Sequence, residues 1–474
     1  MQRAPLAPAL PYDVLQHVVE ALQNDPTALA SCCLVNKEIN QVASATLYRR
    51  LDFQLGSYMG AGHYSRRATL EGPTIASPSQ ALGSAWTFID TQLESDLVLR
   101  AFELFDNLNS VTFNVTTWWG TEESHEVNPE CFAKALQILH DPRRTQGLRE
   151  LMLNSEVCER TDIKPFFQAN LRKLVLIGVD DTGLDLIGQC RGLTELQIRG
   201  VLYTYGSDRT RTTESLEQVL CCLHNLRSLT LGRLLSSSDE YLFEMLSQLP
   251  QLEDLCLEYT FPWRRWGTRG PRDLPVAFVP LCTLKSFTLR YKELNENATH
   301  LQTTDVCKWI KHVISLSPLE RLSFYPFYQP RTRNPRPKQS WDVLVNHLAD
   351  KHARTLRSLD LRAGFVRKRA IQRLLQKCTK LEDLDVATSR GALTTFVRHA
   401  HNVPRLYKGR FELRTQRRDR RERDRVMEIQ EASQILNAAP SLRRLIVNDD
   451  EFLGSWVLDD ESGQLSYAVE KINQ

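Results

Sequence analysis

Cysteine and histidine are the residues here whose side chains could ligate a metal or serve as nucleophile and base, and the chain has eleven of each. The cysteine count is odd, no Cys-x-x-Cys pair occurs and the histidines keep no regular spacing. Neither a zinc site nor a disulfide framework is therefore expected. Cys190, Cys222, Cys282 and Cys378 each stand shortly before a leucine-rich strand pattern, a place suited to small buried thiols packing a turn. Such usage points to a reducing compartment, cytosol or nucleus. His399 and His401 lie close together without an acid or cysteine at a useful spacing. There is no Gly-rich phosphate loop, no G-x-S-x-G elbow and no His-x-x-x-His helix. The residues thus suggest a binder and not an enzyme, with no catalytic residue, metal or cofactor.

Binding chemistry is more visible. Trp118-Trp119-Gly120, Tyr203-Thr204-Tyr205, the stretch from Tyr259 to Trp266 with Trp263 inside it, and Tyr325 to Tyr328 each follow a strand pattern. If the strands repeat regularly, these segments emerge along one edge, either as an interface, where aromatics and arginines dominate the energetics, or folded back as covers for the repeat core. Between the strand leucines stand Glu150, Glu195, Arg199, Asp254, Glu258, Arg290, Arg321, Asp360, Arg362, Asp383, Asp385 and Arg444. Interleaved signs suit a protein partner better than a polyanion. From these two sets, Trp118, Trp119, Tyr203, Tyr205, Arg199, Glu258, Trp263, Trp266, Arg290, Tyr325 and Arg362 are the candidate contacts for such a partner. The net charge of only +3 gives no global field for nucleic acid or an anionic membrane. Arg414–Arg425 holds seven arginines among three acids, which at helical spacing pair into an exposed helix or tether; a nuclear-import or nucleic-acid patch is the alternative. Arg331–Lys338 is proline-bearing and loop-like. Neither interleaves aromatics as single-strand binding would require.

Whatever positions these residues is repetitive. The phrase Leu-x-x-Leu-x-Leu, with conservative replacements, opens at Leu148, Leu171, Leu193, Leu226, Leu252, Leu284, Leu319, Leu356, Leu381 and Leu442. Leu108 opens a weaker copy and Leu406 a broken one. The last three positions alternate as a strand does. Helical stretches lie between copies: Thr213–His224, Asp239–Leu249, Thr304–Ser315, Trp341–Lys351 and Arg369–Cys378. Pro250, Pro318, Pro404 and Pro440 stand where the chain turns from helix to strand. A strand-plus-helix unit cannot bury its apolar face alone, and stacking solves that. The pattern resembles the leucine-rich-repeat family over residues 108–450, implying a solenoid whose inter-leucine positions face its concave side. From Leu148 to Leu381 copies begin between 22 residues (Leu171 to Leu193) and 37 residues (Leu319 to Leu356) apart, and longer gaps flank that run. The family's Asn or Cys is replaced by Glu156, Val179, Thr260, Lys292 and Ser389 at five of its positions, so the backbone ladder it supplies must be replaced or lost. An ordinary α/β sheet with Leu-rich strands is the competing fold.

Ahead of the repeats, Pro11 opens a helical pattern in which Leu15, Val18, Val19 and Leu22 share a face. Asp25-Pro26 opens a second, carrying Leu29, Cys32 and Cys33. A third carries Ile39, Val42, Ala43 and Leu47. Such short helices need one another and a partner over their remaining apolar surface. The phrase Leu-Pro-x-Asp-Val-Leu, then Leu, then Cys-Leu-Val-Asn-Lys resembles the F-box, and Leu47 to Phe53 resembles the junction seen in F-box proteins abundant in filamentous fungi. The resemblance implies docking on a Skp-family adaptor, and through it a cullin–RING ubiquitin ligase, with Leu10, Pro11, Val14, Leu15, Leu34 and Val35 as adaptor contacts. Leu29 and Cys33 would support that surface or the module's own core. Many F-boxes place Trp where Ile39 stands, which bears on docking affinity or on packing of the core.

The expected fold is α/β: a three-helix F-box (8–53), a linker and N-terminal cap (54–107), an irregular leucine-rich-repeat solenoid on a curved parallel sheet (108–450), and a C-terminal cap (451–474). The expected function is substrate recognition for the ligase, with an unidentified protein as substrate. A repeat scaffold with no ubiquitin role, its helical module serving only as a cap, is the alternative. No apolar run is long enough for a membrane span, and the N-terminus lacks a signal-peptide core. Cytoplasm or nucleus is the expected location.

Overall fold

The phrase sends its first, fourth and sixth side chains toward one side of each strand. Each of the three favours burial by about 1.5–3 kcal/mol, and a one-residue slip would turn the alternating pair to the opposite face. A computed structural model describes residues 12–22, 50–56, 110–116, 148–154, 170–177, 187–201, 216–233, 239–259, 278–291, 300–326, 340–414, 427–439, 441–448, 450–458 and 465–472, with positions 28, 31, 32, 35, 39, 42, 43 and 138 besides. In all ten expected copies the three frame side chains are no more than 2% exposed.

The chain divides into two compact units, Met1–Asn225 and Leu226–Gln474. The first holds helix α1 (Tyr12–Ala21) and strands β1 (Arg50–Gly56), β2 (Ser110–Thr116), β3 (Glu150–Asn154), β4 (Lys173–Ile177) and β5 (Glu195–Val201). Each strand pairs in parallel with the next in sequence. The weaker copy at Leu108 supplies β2, with Val111 opposite Leu151. The junction after the helical module is itself a strand: Leu51 and Phe53 of β1 lie opposite Val111 and Phe113.

The second unit holds β6 (Ser228–Arg233), α2 (Asp239–Ser247), β7 (Asp254–Tyr259), β8 (Ser286–Tyr291), α3 (His300–Ile314), β9 (Arg321–Pro326), α4 (Asp342–Lys351), β10 (Ser358–Val366) and α5 (Lys368–Lys377). It continues with β11 (Asp383–Thr388), α6 (Arg390–His399), β12 (Lys408–Leu413), α7 (Ile429–Ala438), β13 (Arg444–Val447), β14 (Asp450–Leu458) and β15 (Leu465–Ile472). Strands β6 to β13 run parallel in sequence order, and β13–β14–β15 is antiparallel. Helix α5 shows why these segments coil: Ala370, Ile371, Leu374 and Leu375 are buried, while Lys368, Arg369, Arg373 and Lys377 face water. Trp309 of α3 fills a core of rings, 5.5 Å from Phe243, 5.0 Å from Tyr259 and 6.1 Å from Phe278.

The copy at Leu406 is complete in space. Gly409 takes its fourth position, opposite Leu384 and Leu445, and the Phe411 ring lies 3.2 Å from where a Cβ at Gly409 would stand. The ring fills the room a leucine would use.

Of the five positions where the family's Asn or Cys is absent, only Ser389 lies among the described residues; at the opposite end, where the strands begin, two sets of hydrogen bonds tie successive repeats together. At most of the joints the carbonyl of the residue after the opening leucine accepts two amides from the next repeat: Glu320 accepts from Arg357 at 2.7 Å and Ser358 at 3.0 Å, and Arg357 accepts from Glu382 at 2.7 Å and Asp383 at 3.1 Å. Short side chains just before the leucine add a second rung. Thr283 Oγ1 donates to the Leu252 carbonyl at 2.6 Å, Ser317 Oγ to Leu281 at 2.7 Å and Thr355 Oγ1 to Leu319 at 2.7 Å. Thr355→Val removes one rung and leaves a carbonyl short of a donor, at an expected cost of about 1–2 kcal/mol. Thermal denaturation measures the loss, and amide exchange should quicken first at Arg357 and Ser358.

The expectation for the turn cysteines is half corrected. Cys190 and Cys378 are buried, whereas Cys222 and Cys282 are exposed. In each exposed case a neighbouring leucine takes the inward position: Leu223 is 0% exposed, and Leu281 and Leu284 are 4% and 0% exposed. Burial pushes the thiols of Cys190, Cys307 and Cys378 up to about 12, which leaves them protonated and unreactive.

Candidate functional site

The helical module comes first in the chain. Leu15 (7% exposed) and Val19 (1%) point inward from α1, and Val19 forms a core with Val42 and Ala43, against which Leu22 and Cys32 pack. Helical residues at 28, 31 and 32 and at 39, 42 and 43 supply the other two sides. Val18 departs from the single apolar face expected of α1: it is 51% exposed, and Val35 is 63% exposed. Exposed valines over a filled core are what a docking module offers a partner. Of the adaptor contacts named from sequence, Leu15 lies in the core and Val35 on the surface. Leu10, Pro11, Leu34 and the Val14 side chain lie outside the described residues, as do Leu29 and Cys33.

The second region is the outer face of the repeats, opposite the buried frame. In unit two, the position following the last frame residue carries Glu258 on β7, Arg290 on β8 and Tyr325 on β9, in direct register. Arg290 Nη1 lies 3.4 Å from Glu258 Oε1, and its Nε–H donates to the Tyr325 hydroxyl at 2.9 Å. The guanidinium stands 5.7 Å from the Tyr325 ring centroid, within cation–π range. Burial works against the Arg290 charge, but the hydrogen bond to Tyr325 and the neighbouring Cys256, Tyr325 and Glu258 outweigh it and hold the pKa above its ordinary value. Repeat stacking thus fixes a carboxylate, a guanidinium and a phenol in one row.

Elsewhere on the outer faces, opposite charges pair across strands. Lys173 meets Glu195 at 3.0 Å in unit one. In unit two, Arg321 meets Asp254 at 3.0 Å, Lys408 meets Asp383 at 3.1 Å and Arg444 meets Glu451 at 2.7 Å. Arg321–Asp254, exposed on both sides, contributes little to stability, about 0–1 kcal/mol, whereas Glu451 of the last pair is buried. The use of these pairs is to arrange sign along the face. Arg199 is exposed on β5, and Arg362 lies in β10 with its side chain outside the described set. Trp118, Trp119, Tyr203, Tyr205, Trp263 and Trp266 lie outside it altogether, as does the arginine-rich run from 415 to 425.

Among the described residues no group of three or more His, Cys, Asp or Glu is placed to hold a metal. No described helix is long and apolar enough to cross a membrane.

With this geometry in hand, residues 7–54 match the family model described as F-box-like. The chain therefore carries an F-box-like domain at its N-terminal end, followed by a mostly parallel array of strand-and-helix repeats. Among solved structures, one chain in the crystal structure of the Rad7 and Elc1 complex in yeast matches with 13% identity and a TM-score of 0.30, covering 67% of this chain and 83% of that one. No curated protein sequence matches it.

Proposed function

We propose that this chain is the substrate-recognition subunit of a Skp–cullin–F-box ubiquitin ligase. The observation that carries the reading is the coincidence of the F-box-like match at residues 7–54 with exposed Val18 and Val35 over a formed apolar core. The module at residues 8–53 docks the Skp-family adaptor, and the leucine-rich-repeat face binds the target protein. The row Glu258–Arg290–Tyr325 supports the second half, because it presents a half-buried guanidinium and a phenol pre-ordered by neighbours. Ordering such side chains before binding removes about 0.5–1.5 kcal/mol of entropy cost for each.

Affinity purification of the full chain from native extract tests both halves together. Adaptor and cullin are expected to accompany the wild type. Arg290→Glu reverses the charge at the centre of the row, and should keep the adaptor while losing at least about tenfold of target recovery. Absence of adaptor and cullin from the wild-type complex contradicts the ligase reading and favours a scaffold.

A further inference from the structure

The corner between α4 and β10 holds two imidazoles. His352 is 3% exposed. Its backbone amide donates to the Leu348 carbonyl at 2.9 Å, and its backbone carbonyl accepts from the amides of Thr355 at 3.0 Å and Leu356 at 2.8 Å. His347, further back on α4, is half-buried, its ring centroid 5.6 Å from that of His352. Nε2 of each ring is buried without a hydrogen-bond partner among the described residues. The charges facing the pair are Lys311 from α3, and Asp350 and Lys351 from α4. Asp350 is itself held by Arg373 at 2.8 Å and Lys377 at 2.6 Å from α5. Backbone at Ser317, before β9, hydrogen-bonds His352.

We infer that His347 and His352 form an acid-sensitive latch between the repeats of β9 and β10. Neutral rings pack the corner. A proton on His347 creates a half-buried cation beside the His352 ring, Lys311 and Lys351, and the corner opens to hydrate it. What opens is specified by the hydrogen bonds. Thr355 Oγ1 joins the His352 carbonyl (3.3 Å) to the Leu319 carbonyl (2.7 Å), and the amides of Arg357 and Ser358 donate to Glu320 across the same joint.

Burial, then the charges of His352, Lys311 and Lys351, lowers His347 from its ordinary 6.5 to about 4. Burial and Lys351 lower His352 in the same direction. Since both folded values lie below the unfolded one, stability is full above pH 6.5 and is lost as pH falls toward 4. For His347 alone, linkage between these two values gives a rise of roughly 30-fold in the opening equilibrium at pH 5 relative to pH 8.

Amide exchange of the full chain at pH 5 and pH 8, each corrected for intrinsic rates, reads this directly. The expected result is a rise of at least about tenfold in opening across residues 352–359, with residues 381–388 unchanged, and loss of the rise in His347→Gln/His352→Leu. The single variant His347→Gln alters only the half-buried ring and should lose most of the effect if the double variant folds poorly. Acid opening spread evenly over the repeats, or local opening that persists in His347→Gln, overturns the latch.

Discussion

Gly364→Ala is expected to destabilise the second unit by about 2–3 kcal/mol, a large effect for one methyl group. The β10 strand departs from its neighbour at this place: Leu361 faces Val386 and Phe365 faces Ala387, so residues 362–364 are extra and bulge out of register. Trp341 enters the space this makes. Its amide donates to the Phe365 carbonyl at 3.0 Å, its side chain is 1% exposed, and its ring lies 4.5 Å from that of Phe324. A Cβ on Gly364 would stand 2.4 Å from Trp341 Cδ1 and 2.7 Å from Cγ. The indole cannot swing aside, because Phe324 backs it in the same core. Urea unfolding followed by tryptophan fluorescence measures the loss. Shrinking the indole should relieve it, so Gly364→Ala and Trp341→Leu should combine to less than the sum of their separate costs. Simple additivity would show that the close approach is not the cause.

The double substitution Val18→Asp/Val35→Asp is expected to weaken adaptor binding by at least about 100-fold, or about 2.7 kcal/mol. Both side chains are more than half exposed, so the charges are hydrated in the free module and its fold is spared. A partner that covers the valines must then bury two carboxylates without partners of opposite charge. Leu15→Asp is a poorer probe. Leu15 is 7% exposed, and a charge there would unfold the module before it reported on docking. Surface plasmon resonance against purified adaptor, with circular dichroism as the control on folding, separates the two effects.

The frame of the repeats was legible because leucine, with Ile198, Phe287, Phe324, Val386 and Val447 in its place, recurs at the three positions every strand must bury. The same rule hid β12, where Gly409 breaks the phrase and the Phe411 ring covers for it. Helices α4 and α5 fall within a residue or so of their apolar periodicity. Helix α6 is harder to see: Gly391, Thr394 and Thr395 are weak helix formers, and burial of Leu393 and Phe396 supplies what propensity does not. Between β13 and β14 the chain reverses direction through Asn448 at φ 56°, the left-handed region that asparagine tolerates. Its side-chain Oδ1 then accepts from the Leu413 amide at 2.7 Å, a contact that no strand periodicity announces.

Of the proposed binding face, Glu258, Arg290 and Tyr325 came together because each directly follows the last frame residue of its strand. That rule could have been applied from sequence alone. What the sequence could not show is that Glu258 is 9% exposed and Arg290 is committed to two neighbours. The exposure of Val18 was likewise hidden, because a period of 3.6 groups it with Leu15 and Val19, and only the placement of Val42 and Ala43 separates them.

Titration of the purified full chain with a purified Skp-family adaptor tests the central claim most directly. A saturable one-to-one complex with submicromolar affinity, weakened at least about 100-fold by Val18→Asp/Val35→Asp, is the predicted result. A folded chain that shows no saturable binding at tens of micromolar adaptor would contradict the docking role of its F-box-like module.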